Sequence, residues 1–180
     1  MTDRNKIKPP VILCGMMGTG KSTIGKLLAR KLQLPFYDLD SMIEEKAGKV
    51  IAEIFEHSGE ETFRRIEREL LTQFVQTCDG VLALGGGSLQ NQHVTDHVKL
   101  YGWLVFIDTP ANEITKRVLG KSKRPMIDSG NPEKISDKIE LLLQKRIPLY
   151  SQAHITIQAG GKSTESVTNE IAKMLEMYAA

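Results

Sequence analysis

Gly15-Met16-Met17-Gly18-Thr19-Gly20-Lys21-Ser22, directly after the apolar run Val11-Ile12-Leu13-Cys14, is the stretch whose reading decides the fold. It fits G-x-x-x-x-G-K-[ST], the loop that wraps nucleotide phosphates. Glycines let successive backbone N–H groups turn inward on an anion. Lys21 adds a charge that reaches the terminal phosphates, and the Ser22 hydroxyl is a ligand for Mg²⁺. Residues 23–32 read as a helix whose N-terminal dipole also favours anions. Strand before and helix after is the context that this motif requires.

Working outward, apolar runs alternate with helical patterns, which predicts parallel strands joined by crossover helices. The expected strands are 11–14, 36–38, 81–84, 104–108 and 155–158. Thr109-Pro110 and Asn131-Pro132 each read as a helix start, with a capping side chain and Pro at the first helical position. The polar, aperiodic stretch from Gly120 to Asn131 reads as a loop. Between Asp40 and Gly80 the chain holds two or three helical pieces, broken at Gly48 and Gly59. That is far more than the dozen residues a crossover needs, so residues 39–79 are expected to build a substrate-binding subdomain.

The whole chain sets bounds on these readings. Its 180 residues suit one domain with a single core. A formal net charge of +2 exerts no general pull on nucleic acid. The 2 cysteines, Cys14 and Cys78, show no metal-type spacing and suit a reducing compartment. No apolar stretch reaches membrane-spanning length, and residues 1–8 lack the apolar centre of a signal peptide. The expectation is a cytoplasmic protein without nucleic-acid or membrane partners, compatible with a monomer.

Ligands of open parallel sheets lie beyond the carboxyl ends of the strands, so residues in that position come first. Asp38 and Asp40 end the second strand, two positions apart; one carboxylate suits hydrated Mg²⁺ and the other a substrate hydroxyl. The plainer reading is a helix cap, and Ser41 with Glu44 fits a capping box. Gly85-Gly86-Gly87 follows the third strand and offers bare backbone to a ligand. In the helix over 63–75, Phe63, Leu70 and Phe74 share a face. Glu67 falls within that stripe, Arg64 at its edge, and Arg65 points away. In the helix over 134–147, Arg146 falls in the middle of the face made by Ile135, Ile139, Leu142 and Leu143, and Pro148 is expected to stop it. An ionised group turned inward needs a partner, and the planar fork of Arg matches a carboxylate. Arg124, beside Pro125, is placed to neutralise charge on a transferring phosphoryl group; Arg117 is a weaker candidate. His93 and His97 lack the intervening Glu of a zinc-protease helix. Cys14 reads as a small buried hydrophobe.

Taken together, GMMGTGKST (15–23), DLD (38–40), FRRIE (63–67), LGGG (84–87), KRP (123–125) and KRIPLY (145–150) resemble the shikimate kinases, over nearly the whole chain. The resemblance implies a three-layer P-loop kinase fold with a five-stranded parallel sheet in the order 2-3-1-4-5, and a lid over about 118–132. It implies transfer of the ATP γ-phosphoryl group to the 3-hydroxyl of shikimate. By position, Gly18, Thr19, Gly20, Lys21, Ser22 and Thr23 would hold the nucleotide phosphates, with Arg124 reaching them from the lid and Arg117 flanking adenine. Ser22 and, through water, Asp38 would serve Mg²⁺. Asp40 would bind the acceptor hydroxyl and act as base, and Arg64 and Arg146 would grip the shikimate carboxylate. Glu67 and the glycines 85–87 would complete that pocket. The adenine loop of the family often carries Arg where this chain has Gly160-Gly161-Lys162, so Lys162 is the candidate there. Two alternatives stand beside this: a gluconate or nucleoside-monophosphate kinase, and a non-enzymatic nucleotide switch, which the lack of an N-K-x-D segment disfavours.

Overall fold

A computed structural model of the chain describes residues 7–120 and 132–179. Five parallel strands form one sheet in the order β2-β3-β1-β4-β5. They are β1 (Val11–Cys14), β2 (Phe36–Asp38), β3 (Val81–Ala83), β4 (Trp103–Asp108) and β5 (Ile155–Gln158). The helices are α1 (Lys21–Leu32), α2 (Leu39–Ala47), α3 (Ile51–Phe74), α4 (Gln92–Tyr101), α5 (Ala111–Leu119), α6 (Pro132–Tyr150) and α7 (Thr164–Ala179).

The central strand β1 shows why this is a three-layer structure. All four of its residues are buried, as expected of a strand covered on both faces. Val11 and Leu13 point to one layer, among Ile24 and Leu28 of α1 and Val167, Ile171 and Leu175 of α7. Ile12 and Cys14 point to the other, among Leu39, Ile43, Leu71, Val94, Val98 and Tyr150. A third cluster joins Met16 of the phosphate loop to Ile114 and Val118 of α5 and Ile135, Ile139 and Leu143 of α6. The phosphate loop is therefore packed from below. Because β1 pairs with both β3 and β4, the strand order reverses beside it and opens a crevice at its carboxyl end.

Several expectations need correction. Pro110 is the N-cap residue of α5 rather than its first helical residue; Thr109, one position earlier, is buried with no hydrogen-bond partner for its hydroxyl among the described residues. Asp38, not Ser41, caps α2, by accepting from the Asp40 N–H at 3.1 Å. Glu44 makes no capping box; its carboxylate accepts from Ile51 N–H at 2.9 Å and so caps α3, whose own N-cap residue Val50 has no side-chain acceptor. The breaks expected at both glycines are present: Gly48 ends α2 in a left-handed conformation, and Gly59 (φ 77°, ψ 168°) interrupts the helical backbone within α3. Pro148 does not stop α6, which continues to Tyr150. The strand bounds shift by one residue at β3 and β4.

Helix α1 approaches the sheet over Gly25, where a Cβ would lie 2.5 Å from Cε2 of Phe36 and 3.3 Å from Cδ1 of Leu13. Gly25→Ala should therefore destabilise the fold by about 1–3 kcal/mol through overpacking, despite the better helix propensity of Ala. Urea unfolding checks this; a variant as stable as the parent would mean that Phe36 moves away freely.

Candidate active site

The phosphate loop is held in shape before any ligand arrives. Gly15 (φ 142°) passes so close to β4 that a Cβ would stand 2.7 Å from the Ile107 carbonyl oxygen. Gly20 is left-handed (φ 89°) and ends the loop as the N-cap residue of α1 without a side-chain cap. The first N–H groups of α1 thus keep their donors for a ligand. The first turn carries no acidic residue to compete for that position. Lys21 Nζ donates to the carbonyls of Gly15 and Met16, each at 2.9 Å. Thr19 is buried and its hydroxyl donates to the Met16 carbonyl at 2.9 Å; it braces the loop from within.

Two acidic residues stand beside this loop, Asp38 at the end of β2 and Asp40 in the first turn of α2. Ser22 Oγ donates to Asp38 Oδ2 at 2.6 Å, which joins a hydroxyl and a carboxylate at the loop's edge. Asp40 lies in the first turn of α2, and its carboxylate accepts no hydrogen bond among the described residues. Burial, then the negative charges of Asp38 and Glu67, push its carboxyl up to about 6, with Lys21 pulling the other way. A carboxylate left short of donors is a proton acceptor near neutral pH.

Glu67 is the opposite case. It is 1 % exposed, yet Oε2 accepts from Arg64 Nη1 at 2.6 Å and Gln90 Nε2 at 3.1 Å, and Oε1 from Ser88 Oγ at 2.6 Å. Gln90 also donates to the Arg64 carbonyl at 2.8 Å. Arg65 points outward to Glu69, as the helical phase predicts. Ser88 and Gln90 were invisible to that phase because they follow a glycine run with no periodic structure of its own.

The glycines 85–87 work through the absence of Cβ rather than through unusual backbone angles, since none has a left-handed φ. A Cβ on Gly85 would stand 2.9 Å from Asp40 Oδ1 and 3.1 Å from Glu67 Oε1. On Gly86 it would stand 3.0 Å from Met17 N and 3.3 Å from Arg146 Nη1, and on Gly87 2.7 Å from both terminal nitrogens of Arg64. The two arginines thus rest on consecutive residues of one bare stretch. Arg146 also donates from Nη1 to Met16 Sδ at 3.2 Å. Tyr150, four residues on, donates its hydroxyl to the Gly86 carbonyl.

These groups line one cleft of about 700 Å³, with Met17, Gly18, Gly20, Lys21, Ser22 and Thr23 on the phosphate side. Asp38, Asp40, Arg64, Glu67, Gly85–Gly87 and Arg146 lie beyond them, and Ile51, Phe55 and Phe63 form an apolar wall. Arg117 reaches the same cleft from α5, donating to the carbonyls of Gly18 (3.3 Å) and Thr19 (3.5 Å) and to Glu113 (3.3 Å). The other oxygen of Glu113 accepts from Gly161 N–H at 2.9 Å. Lys162 is not brought to the cleft: it donates to Glu170 at 2.6 Å, because the turn after β5 swings its side chain along α7, and Thr164 lines the cleft on that side instead. Arg124 and most of the expected lid lie outside the described residues. His97 bonds the Thr72 carbonyl, and the described residues include no group of three or more His, Cys, Asp and Glu able to hold a metal. Cys14 is buried, and burial pushes its thiol up to about 12.

Comparison with known proteins bears on this site. The family model described as shikimate kinase matches residues 17–176. The shikimate kinase of Chlorobium chlorochromatii is 36 % identical over 93 % of this chain and 91 % of its own. That of Vibrio campbellii is 38 % identical over 94 % and 97 %. Among solved structures, shikimate kinase from Acinetobacter baumannii in complex with shikimate superposes with a TM-score of 0.89 at 33 % identity, covering 96 % of both chains. A gluconokinase from Sinorhizobium meliloti, 13 % identical with a TM-score of 0.60, shares the fold alone.

The position of Asp40 has a consequence for stability. Its carboxyl binds a proton more readily in the folded chain (about 6) than at its ordinary value of 3.8. Stability from this group is therefore full below about pH 4 and falls as pH rises through 6, by on the order of 3 kcal/mol. Asp40→Asn should raise the ligand-free melting temperature by several degrees at pH 8 and by almost nothing at pH 4. Equal melting temperatures at pH 8 would mean that the carboxylate is well solvated.

Proposed function

The chain belongs to the shikimate kinase family, and on that premise we propose that it transfers the γ-phosphoryl group of ATP to the 3-hydroxyl of shikimate, a step in aromatic biosynthesis. The observation that carries the residue-level reading is Asp40: a half-buried carboxylate with no hydrogen-bond donor among the described residues, set between the phosphate loop and a pocket with two arginines. The first turn of α1, with Gly18 to Thr23, binds the phosphates, and Lys21 turns from its carbonyl partners to the transferring group. Arg117 holds the nucleotide from the α5 side. Arg64 and Arg146 take the shikimate carboxylate, while Ile51, Phe55 and Phe63 pack on the ring. This fixes the acceptor hydroxyl at Asp40, which accepts its proton as the oxygen attacks phosphorus in line with the departing ADP oxygen. Arg124 belongs to the same set as a lid residue that neutralises phosphoryl charge.

The residues also fit Mg²⁺. Ser22 and Asp38 place two hard oxygen donors 2.6 Å apart at the loop, and Mg²⁺ is commonly held by one or two protein oxygens together with substrate phosphates and water. Bound there, it would supply charge neutralisation on the phosphate oxygens. No helix among the described residues is long and apolar enough to cross a membrane. A cytoplasmic monomer acting on two small molecules, without nucleic acid, is the assembly we propose. Residues 39–79 serve it as the acceptor-binding part of one domain.

ADP release with Mg²⁺ and ATP should depend on shikimate and remain at background with gluconate or nucleoside monophosphates. Turnover with one of those instead would overturn the acceptor assignment. Arg146→Ala should raise the KM for shikimate by two orders of magnitude and leave the KM for ATP within about twofold, the loss expected for a charged hydrogen-bonding partner. Equal changes in both would remove Arg146 from the acceptor. Asp40→Asn should lower kcat by about 10²–10⁴-fold, the range of general-base contributions, with nucleotide affinity unchanged. In the parent enzyme kcat/KM for shikimate should drop tenfold per pH unit below about 6, where Asp40 becomes protonated.

A further inference from the structure

Tyr150 is not among the expected site residues, yet its hydroxyl is bonded to the glycine run that lines the cleft. The residue is 1 % exposed, and its ring packs on Phe106 of β4 with centroids 5.1 Å apart. An apolar residue would satisfy that packing equally well, so the hydroxyl needs a separate explanation. It donates to the Gly86 carbonyl, and the guanidinium of Arg146 lies within hydrogen-bonding reach of the Tyr150 oxygen itself. Burial keeps the phenol protonated and neutral, so it remains a donor at every working pH. Arg146 has few other holds: its Nη1 contacts the soft acceptor Met16 Sδ at 3.2 Å and passes within 3.3 Å of where a Gly86 Cβ would stand. Tyr150 is also the last residue of α6, one turn beyond Arg146, so its ring anchors the end of the helix that presents that arginine.

We propose that Tyr150 is a positioning residue for the acceptor: its hydroxyl bridges Gly86 and Arg146 and fixes the guanidinium in the orientation that receives the substrate carboxylate. This rests on the reading of Arg146 as a carboxylate ligand. The long, flexible Arg side chain otherwise loses rotamer entropy on binding, and the bridge meets that cost during folding.

Tyr150→Phe keeps the ring on Phe106 and removes only the bridge. The KM for shikimate should rise about fivefold to twentyfold, as for a lost charge-assisted hydrogen bond, with kcat and the KM for ATP changed less than twofold. A purely structural tyrosine would lower the melting temperature and move both KM values together or neither, and either result overturns the proposal. In an Arg146→Ala background, Tyr150→Phe should cause no further loss in kcat/KM for shikimate, because its effect acts through the arginine; additive losses overturn it. The parent enzyme, assayed in parallel, separates the two layers. No shikimate turnover there refutes the functional reading, whereas normal turnover with an unaltered Tyr150→Phe KM refutes the bridge alone.

Discussion

The buried carboxylate of Glu67 is the constraint around which the acceptor side of this molecule is built. An ion taken out of water costs several kcal/mol unless its lone pairs are met. Here three donors from two segments meet them: Arg64 one turn earlier on α3, Ser88 and Gln90 from the segment after β3. The pair is therefore better read as a fixture of geometry than as a source of stability. If any donor shifts, a charge is left buried and unpaired. The segment after β3 must keep its register on α3, and Arg64 must stay against Gly87. A guanidinium held by Glu67 at 2.6 Å and by Glu60 at 3.4 Å is fixed in its orientation at the cleft.

Asp40 shares that cleft but differs in its neighbours. Glu67 is buried and Asp40 half-buried, and Gly85 lies between them. Glu67 is saturated with donors, whereas Asp40 has only the more distant charge of Lys21 against the repulsion of Asp38 and Glu67. Unequal supply of donors separates them: Glu67 is tied to an arginine, whereas burial and the neighbouring charges of Asp38 and Glu67 push the Asp40 carboxyl up to about 6. Asp40 therefore destabilises the fold at neutral pH, where its carboxyl is ionised.

How much of this was legible in the sequence depended on whether the signal was local. The phosphate loop was readable because a strand, a glycine-rich turn and a helix follow one another directly, whereas the sheet order came only from the resemblance to the shikimate kinases. The inward phases of Glu67 and Arg146 were readable because a helical stripe of Phe63, Leu70 and Phe74, or of Ile135 and Ile139, shows which way a charge points. Partners across the fold were not. Ser88 and Gln90 meet Glu67 across more than twenty residues of chain, and nothing in their own neighbourhood signals it. Tyr150 was hidden by Pro148. Taken as a stop, the proline placed Tyr150 outside α6, although the i, i+4 spacing from Arg146 would otherwise have put both on one face. Proline removes one N–H and crowds one carbonyl, but so near the end of a helix the last turn survives. Lys162 failed for the converse reason: a nearby Glu170 across the turn after β5 offered it a partner that a motif match does not show.

The glycines 85–87 then explain why these separate devices form one pocket. Each lacks a side chain at a point where another element's functional group already stands: Asp40 and Glu67 at Gly85, Met17 and Arg146 at Gly86, Arg64 at Gly87. Helices α2, α3 and α6 and the phosphate loop thus converge on three consecutive residues at the carboxyl end of β3. A methyl group at any of them would displace a charged group by more than close packing tolerates. That convergence sets the distance between the phosphate loop and Arg64 and Arg146 through the sheet itself, because β1 and β3 are paired in register. In-line transfer needs its reacting atoms within a few tenths of an ångström of their productive positions. A rigid strand pair with a bare end provides that more reliably than any loop whose side chains must first agree.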